Sequence, residues 1–191
     1  MENSQRITFR KFFGHLGTVL KHKYWVFRYA CKLGIPWRGL THDLSKFSPV
    51  EFWESVRYWD GKSSPIPKCK ADKGYSLAWQ HHKGRNSHHY EYWVDNLDQG
   101  GVPIKMPWLD MLEMVADYLG AGRTYQGKSF TLQKEYDWWQ NQLKVGEKTK
   151  MHPETRGILE CLFYLFSTDS KYLDNFKGKF YDLLKEHYER K

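Results

Sequence analysis

Apolar positions recur along this chain at intervals of three and four residues, and no stretch alternates long enough to read as a strand. Phe12, Leu16, Val19, Val26, Ala30 and Leu33 share one side of a helix predicted over 9–33, with Thr8 placed to cap it. Gly34 closes that helix and Pro36 opens a short one. Ser48-Pro49-Val50-Glu51 reads as a capping box with proline at the first helical position, so a further helix runs to about Trp59. Residues 60–74, "DGKSSPIPKCKADKG", hold two Pro, two Gly and four Lys and read as a flexible basic loop. Helices follow over about 75–82, then from Asn86 or Ser87 to about Leu97. "DQGGVPIKMP" is a second loop, and Pro107 opens a helix over 107–119 that Gly120 and Gly122 close. The remaining helices cover about 131–144, 153–167 and 171–188. The pattern predicts a single all-α domain over residues 1–191, without repeats or a linker.

Composition narrows the picture. Aromatic residues make up 17% of the 191 residues, nine of them Trp, enough to line a ligand pocket as well as fill a core. The formal net charge of +8 favours an anionic partner. Cys31, Cys69 and Cys161 are too few and too far apart for a disulfide framework or a cysteine zinc site. The start of the chain has no apolar signal core. The longest apolar run, "ILECLFYLF", is nine residues, against the roughly 20 that a membrane span needs. A soluble cytoplasmic protein with no membrane partner is expected.

The candidate chemistry lies in histidines and acids. His22 shares a stripe with Val19 and Val26, and His15 precedes it by two turns. "LTHDLSKFSP" sets His42 beside Asp43, with Lys46 three positions on. In a regular helix the first two would point about 100° apart, so they can share a cation only at a helix end or bend. "WQHHKGRNSHHYEYW" packs His81, His82, His88 and His89 into nine residues. "LDMLEMVADYLG" puts Asp110, Glu113 and Asp117 on one stripe of an apolar helix, where three acids repel unless a cation joins them. Asp110 is expected to face water and Asp117 to turn inward.

The order His22, His42-Asp43, the 81–89 histidines, then Asp117 resembles the HD superfamily of metal-dependent phosphohydrolases, and "THDLSK" resembles its His-Asp motif. The strings "HLGTVLKHKYWVF", "LGIPWRGLTHDLSKFSPVEF", "HHKGRNSHHYEYW", "MPWLDMLEMVADYLGAGR" and "HPETRG" also resemble a family of small bacteriophage and bacterial proteins, over most of residues 12–160. The superfamily resemblance implies an HD-type helical domain in a bacterial or phage-infected cytoplasm. It implies His22, His42, Asp43 and Asp117 as ligands of one or two divalent ions (Mn, Fe, Co, Ni or Zn). His82 and His88, then His81 and His89, would assist a second ion or a phosphate.

The implied reaction is hydrolysis of a small phosphorylated substrate such as a nucleotide. Lys46, Lys83 and Arg85 would steady its phosphate, and Asp43 or Glu113 would serve as acid or base. The superfamily's small nucleotidases carry a Glu soon after the His-Asp pair. Here Lys46 takes the nearby slot and Glu51 reads as part of a capping box. The alternatives are an HD-fold di-iron oxygenase, a nucleic-acid binder using the basic loop, and a catalytically silent binding module of a phage.

Overall fold

The computed structural model describes residues 5–146 and 148–190 and is all-α. Its helices are α1 (Phe9–Lys32), α2 (Pro36–Thr41), α3 (Pro49–Tyr58), α4 (Pro65–Lys73), α5 (Leu77–Arg85), α6 (Trp108–Gln126), α7 (Leu132–Lys144), α8 (Pro153–Thr168), α9 (Lys171–Asp174) and α10 (Tyr181–Glu189). Short 3₁₀ turns cover Leu44–Phe47 and Tyr90–Trp93. β1 (Val94–Asp95) and β2 (Val102–Pro103) pair antiparallel, Val94 opposite Pro103. No described helix is long and apolar enough to cross a membrane.

α6 is the spine. It is buried almost all round, through Trp108, Met111, Leu112, Met114, Val115, Ala116 and Leu119, as a helix packed on several sides must be. α1 lies along it through Val26 and Ala30, while Trp139 of α7 and Leu159, Leu162, Phe163 and Phe166 of α8 complete the core. The α1–α6 crossing is close at Gly120. A Cβ there would lie 2.5 Å from Val26 Cγ2 and 3.0 Å from the Val26 backbone nitrogen.

Four expectations change. Residues 65–73 of the expected loop form α4, because Ser64 caps it, its prolines fall in the first turn, and Gly74 ends it left-handed. The helix expected over 86–97 is a 3₁₀ turn and a strand. Its would-be caps are engaged elsewhere: the Asn86 amide donates to Ser45 Oγ and the His82 carbonyl, and the Ser87 hydroxyl to Asp110. α6 continues through Gly120 and Gly122 to Gln126, because those glycines serve close packing rather than termination. The segment 171–188 is broken by a π-helical turn at Phe176–Phe180.

Replacing Gly120 by Ala should destabilise the protein by about 1–3 kcal/mol, because Val26 backbone blocks the methyl. Gly157→Ala on exposed α8 surface, where a Cβ meets nothing, should stabilise it by about 0.5–1 kcal/mol. Urea unfolding of the two variants measures both; equal midpoints would refute the close crossing.

Candidate metal centre

The chain reverses sharply between α2 and α3. His42 is extended at φ −51°, ψ 134°, and Asp43 is left-handed at φ 53°, ψ 33°. That conformation is uncommon outside glycine, though aspartate tolerates it better than most residues. The turn removes the divergence that a regular helix would impose on adjacent side chains. His42 Nε2 comes to 3.0 Å from Asp43 Oδ2. Lys23 of α1 fixes the turn by donating to the His42 carbonyl.

Asp43 is 2% exposed, and its two oxygens face two sets of imidazoles. Around Oδ2 stand His22 Nε2 at 3.5 Å and His42 Nε2 at 3.0 Å; Asp117 Oδ1 lies 3.1 Å from the first and 3.4 Å from the second. Around Oδ1 stand His82 Nε2 and His88 Nε2, each at 3.3 Å, with His89 beside them. His22, His42, Asp43 and Asp117 form one buried grouping whose ligand atoms lie within 4.8 Å of one another, and Asp43, His82, His88 and His89 form a second. Both could hold a metal ion. His22, His42, His88 and His89 Nε2, and both Asp43 oxygens, are buried without a well-aligned hydrogen bond among the described residues, and of the two oxygens only Oδ2 has an ion pair with a lysine, Lys46.

The imidazoles are aimed from behind. Glu113 Oε1 takes His42 Nδ1 at 3.0 Å and His88 Nδ1 at 3.2 Å. These hydrogen bonds, with burial opposing them, bring the Glu113 carboxyl down to about 2. An ionised carboxylate accepts only, so both Nδ1 atoms carry a hydrogen and each Nε2 is turned to the Asp43 side. Arg38 donates to Glu113 Oε2 at 3.0 Å and to Asp110 Oδ1 at 2.7 Å, and Ser87 also donates to Asp110. On the other flank Glu51 accepts from His82 Nδ1 and His81 Nδ1, each at 2.7 Å. His42, His88 and Glu113 make a third close grouping, but hydrogen bonds already satisfy the faces that meet there.

Charge follows the same layout. Burial would raise the carboxyls of Asp43 and Asp117, yet the facing histidines, with Lys46 at Asp43, hold both well below the usual range. Burial would lower His42, but Asp43, Asp117 and Glu113 hold it well above its ordinary value. His89, buried beside His88 and His82, is held well below, so its imidazole is neutral. These metal-free preferences show how many proton or cation charges the acids demand.

Above the two groupings opens a cavity of about 580 Å³, with His22, Asp117, His82, His89 and Lys46 at its floor. Lys46 Nζ is 2.5 Å from Asp43 Oδ2 and its side chain is 30% exposed, so it reaches both the centre and the cavity. His15 lines the wall with Nδ1 unpartnered; burial holds it near 4 and therefore neutral. Glu135 of α7 also lines the wall at 3% exposure. Burial, then the Asp117 charge, raises its carboxyl from 4.5 to about 8.

The residues singled out in the sequence divide accordingly. His22, His42, Asp43, Asp117, His82, His88 and His89 converge, and Lys46 joins them. His81 is held on Glu51 and enters neither grouping. Lys83 and Arg85 do not line the cavity. Glu113 stands behind the imidazoles rather than on the cavity wall. Asp110, expected in water, is 6% exposed under Arg38, because a guanidinium compensates its burial. Ser48 makes no capping bond to the helix; Glu51, freed from a capping box, turns to the histidines. Its signal was the stripe Glu51, Ser55 and Tyr58, which is a buried face. Nothing in the helical pattern pointed to Arg38.

Fold and site together define an all-helical protein with a buried imidazole–carboxylate centre that could hold metal ions. The chain belongs to the Family of unknown function (DUF5662), which matches it over residues 11–164. No curated protein and no solved structure matches it.

A glutamine at 113 must aim its NH₂ either at the two imidazole N–H groups or at Arg38. Glu113→Gln should therefore weaken Mn²⁺ binding by about 10–100-fold in a titration of metal-free protein, while Lys83→Ala leaves it unchanged. Equal affinities would refute the orienting role.

Glu135 gives a pH signature away from the ligands. Its carboxyl keeps a proton when folded that the unfolded chain sheds above about 4.5. Its contribution is thus complete below about 4.5 and is lost as the pH rises through about 8. From about pH 5 to about pH 9, wild type should lose stability relative to Glu135→Gln in urea unfolding. A pH-independent difference would refute the raised value.

Proposed function

We propose that this protein is a metal-dependent phosphohydrolase acting on a small phosphate ester, of which a nucleotide is the favoured example. One observation carries the reading. A buried carboxylate, Asp43, turns each oxygen to its own set of imidazole nitrogens, most of them unpartnered, beneath a cavity that also receives Lys46. Nitrogen and oxygen donors in these sets suit Mn, Fe, Co, Ni or Zn. The first set would be His22, His42, Asp43 and Asp117, the second Asp43, His82, His88 and His89. When bound, such ions would supply hydroxide at neutral pH and polarise the phosphoryl oxygens.

The chain's own residues do the rest. The Lys46 ammonium, held above its ordinary value by Asp43 and Asp117 against the effect of burial, stays charged and binds the phosphate from the cavity side. Glu113 and Glu51 keep His42, His88 and His82 in the tautomer that leaves Nε2 open. Asp43, with both oxygens committed to the two sets, holds rather than shuttles protons. His15, neutral on the wall, is a hydrogen-bond partner for the substrate rather than a proton donor, and the leaving oxygen takes its proton from water. The superfamily resemblance of "THDLSK" agrees with this reading. The donor set of five imidazoles and two carboxylates also suits two irons, which keeps an oxygenase as the second reading.

Metal analysis after loading, combined with a screen over nucleotides, cyclic nucleotides and sugar phosphates, tests the proposal. Wild type should hold two ions and release phosphate. Lys46→Ala should keep its metal but lose about 10²–10³ in kcat/KM. Asp43→Ala should lose ions from both sets together. A loaded protein that is inert on the whole panel and consumes oxygen would overturn the phosphohydrolase and favour the oxygenase.

A further inference from the structure

Beyond the metal floor the cavity has an aromatic end. Tyr118 follows the ligand Asp117 on α6, and its ring stands 5.3 Å from that of Trp138 on α7. Both line the cavity, together with Gly122, Glu135 and Lys148. The Glu135 carboxyl is 3% exposed and takes no hydrogen bond or ion pair from any described residue. It rests against the bare backbone of α6. A Cβ on Gly122 would lie 2.2 Å from Glu135 Oε2 and 2.6 Å from Phe130 Cε2. The helix thus leaves a notch that the carboxyl fills.

A carboxyl in a ring-lined chamber is costly unless something hydrogen-bonds to it. A polar group from the substrate can supply that bond. The charges around it limit what the group can be. Lys148 places its ammonium 5.5 Å from the Tyr118 ring centre, 6.0 Å from Trp138 and 4.9 Å from Tyr90. A second cation would meet that ammonium, and the Glu135 carboxyl, which burial keeps protonated below about 8, offers it no charge in return. A neutral, flat group with N–H beside a ring nitrogen on its edge avoids that repulsion and matches both the C=O acceptor and the O–H donor of the carboxyl, while its face lies against the rings. Gly122 is five residues beyond Asp117, about 7.5 Å along the helix axis, so the chamber lies within a sugar's reach of the metal floor.

We infer that this end of the cavity is a subsite for a neutral nitrogen heterocycle of nucleobase type, walled by Tyr118 and Trp138 and hydrogen-bonded at its N–H edge by Glu135. The inference deepens the phosphohydrolase reading and rests on it for the expectation that such a base arrives on a phosphate ester. It assigns Glu135 to base selection rather than to the reaction.

The full-length protein is titrated with adenosine and cytidine, with ribose as the control, by calorimetry and by tryptophan fluorescence. Wild type should bind both nucleosides and not ribose. Glu135→Leu and Trp138→Ala should each weaken nucleoside binding by about tenfold or more, as expected when a substrate N–H or a stacking face loses its partner. Glu135→Gln, which keeps an acceptor and a donor at the same place, should stay close to wild type and shows that loss in Glu135→Leu is not misfolding. No nucleoside binding by wild type, or equal affinity in wild type, Glu135→Leu and Trp138→Ala, would overturn the inference. Nucleosides carry no phosphate, so the outcome is separable from catalysis. Binding through Glu135 without hydrolysis of any nucleotide leaves this subsite standing and removes the phosphohydrolase. Hydrolysis of sugar phosphates without nucleoside binding does the reverse.

Discussion

A carboxylate taken out of water must be matched, and the match at Asp43 organises much of this molecule. With a fully buried side chain in a left-handed turn, its oxygens meet imidazole nitrogens from α1, from α2's end, from α5 and from the turn that follows α5. Glu113 places the Nδ1 hydrogen on His42 and His88, so each Nε2 turned to Asp43 holds either a second proton or a lone pair open to a metal ion. Acceptors against acceptors are unfavourable in a low-dielectric interior unless a proton or a metal ion stands between them. The ion pair with Lys46 reaches only one of the two oxygens, Oδ2. The arrangement would therefore gain from a bound cation, and such binding would strengthen the fold that brings these side chains together.

α6 converts this local demand into architecture. Its acid stripe at i, i+3 and i+7 serves three neighbours. Asp110 takes Arg38 and Ser87, Glu113 takes two imidazoles and the same arginine, and Asp117 faces His22 and His42. Arg38 belongs to α2, so the clamp that orients the imidazoles also ties α2 to α6. The opposite sides of α6 are plain core, which holds the stripe in place without adjustment. Rigid support of this kind is what a centre needs to keep its donors converged.

Helical class was legible because it follows from spacing, whereas the set His22, His42, Asp43 and Asp117 was implied by the resemblance of the His, His-Asp, Asp order to the HD superfamily. His15, Val19, His22 and Val26 lie on one face whatever surrounds them. The layer behind the ligands was not legible, because it depends on which helices meet. Asp110 looks like a solvent acid until Arg38 arrives from a segment 72 residues earlier. Glu51 satisfies the capping-box pattern locally, and tertiary contacts with His81 and His82 outweigh a cap worth about 1 kcal/mol. The same competition undid the predicted helix after Asn86, whose capping side chains serve the centre instead. α4 failed in the other direction: prolines and lysines suggested a loop, yet Pro65 and Pro67 occupy the first turn, where a missing N–H costs little.

The family match ends at residue 164, and the structure explains why that boundary can fall outside the chemistry. Every residue of the two groupings, their orienting acids and the cavity walls lies before it. The segments beyond it buttress the start of α6 from the far side. Tyr181 and Tyr188 pack their rings 5.7 Å from Trp108, and the Tyr188 hydroxyl donates to the Met106 carbonyl at 2.7 Å. That contact fixes where α6 begins, hence the height at which Asp110, Glu113 and Asp117 stand against α1 and α2. It touches no ligand. Changes in α10 therefore act on the centre only through the register of α6, whereas changes in α3, α5 or α7 alter what the centre and its cavity can bind. Since a helical scaffold of this kind does not fix a function by itself, what the centre can bind depends on that second group of elements.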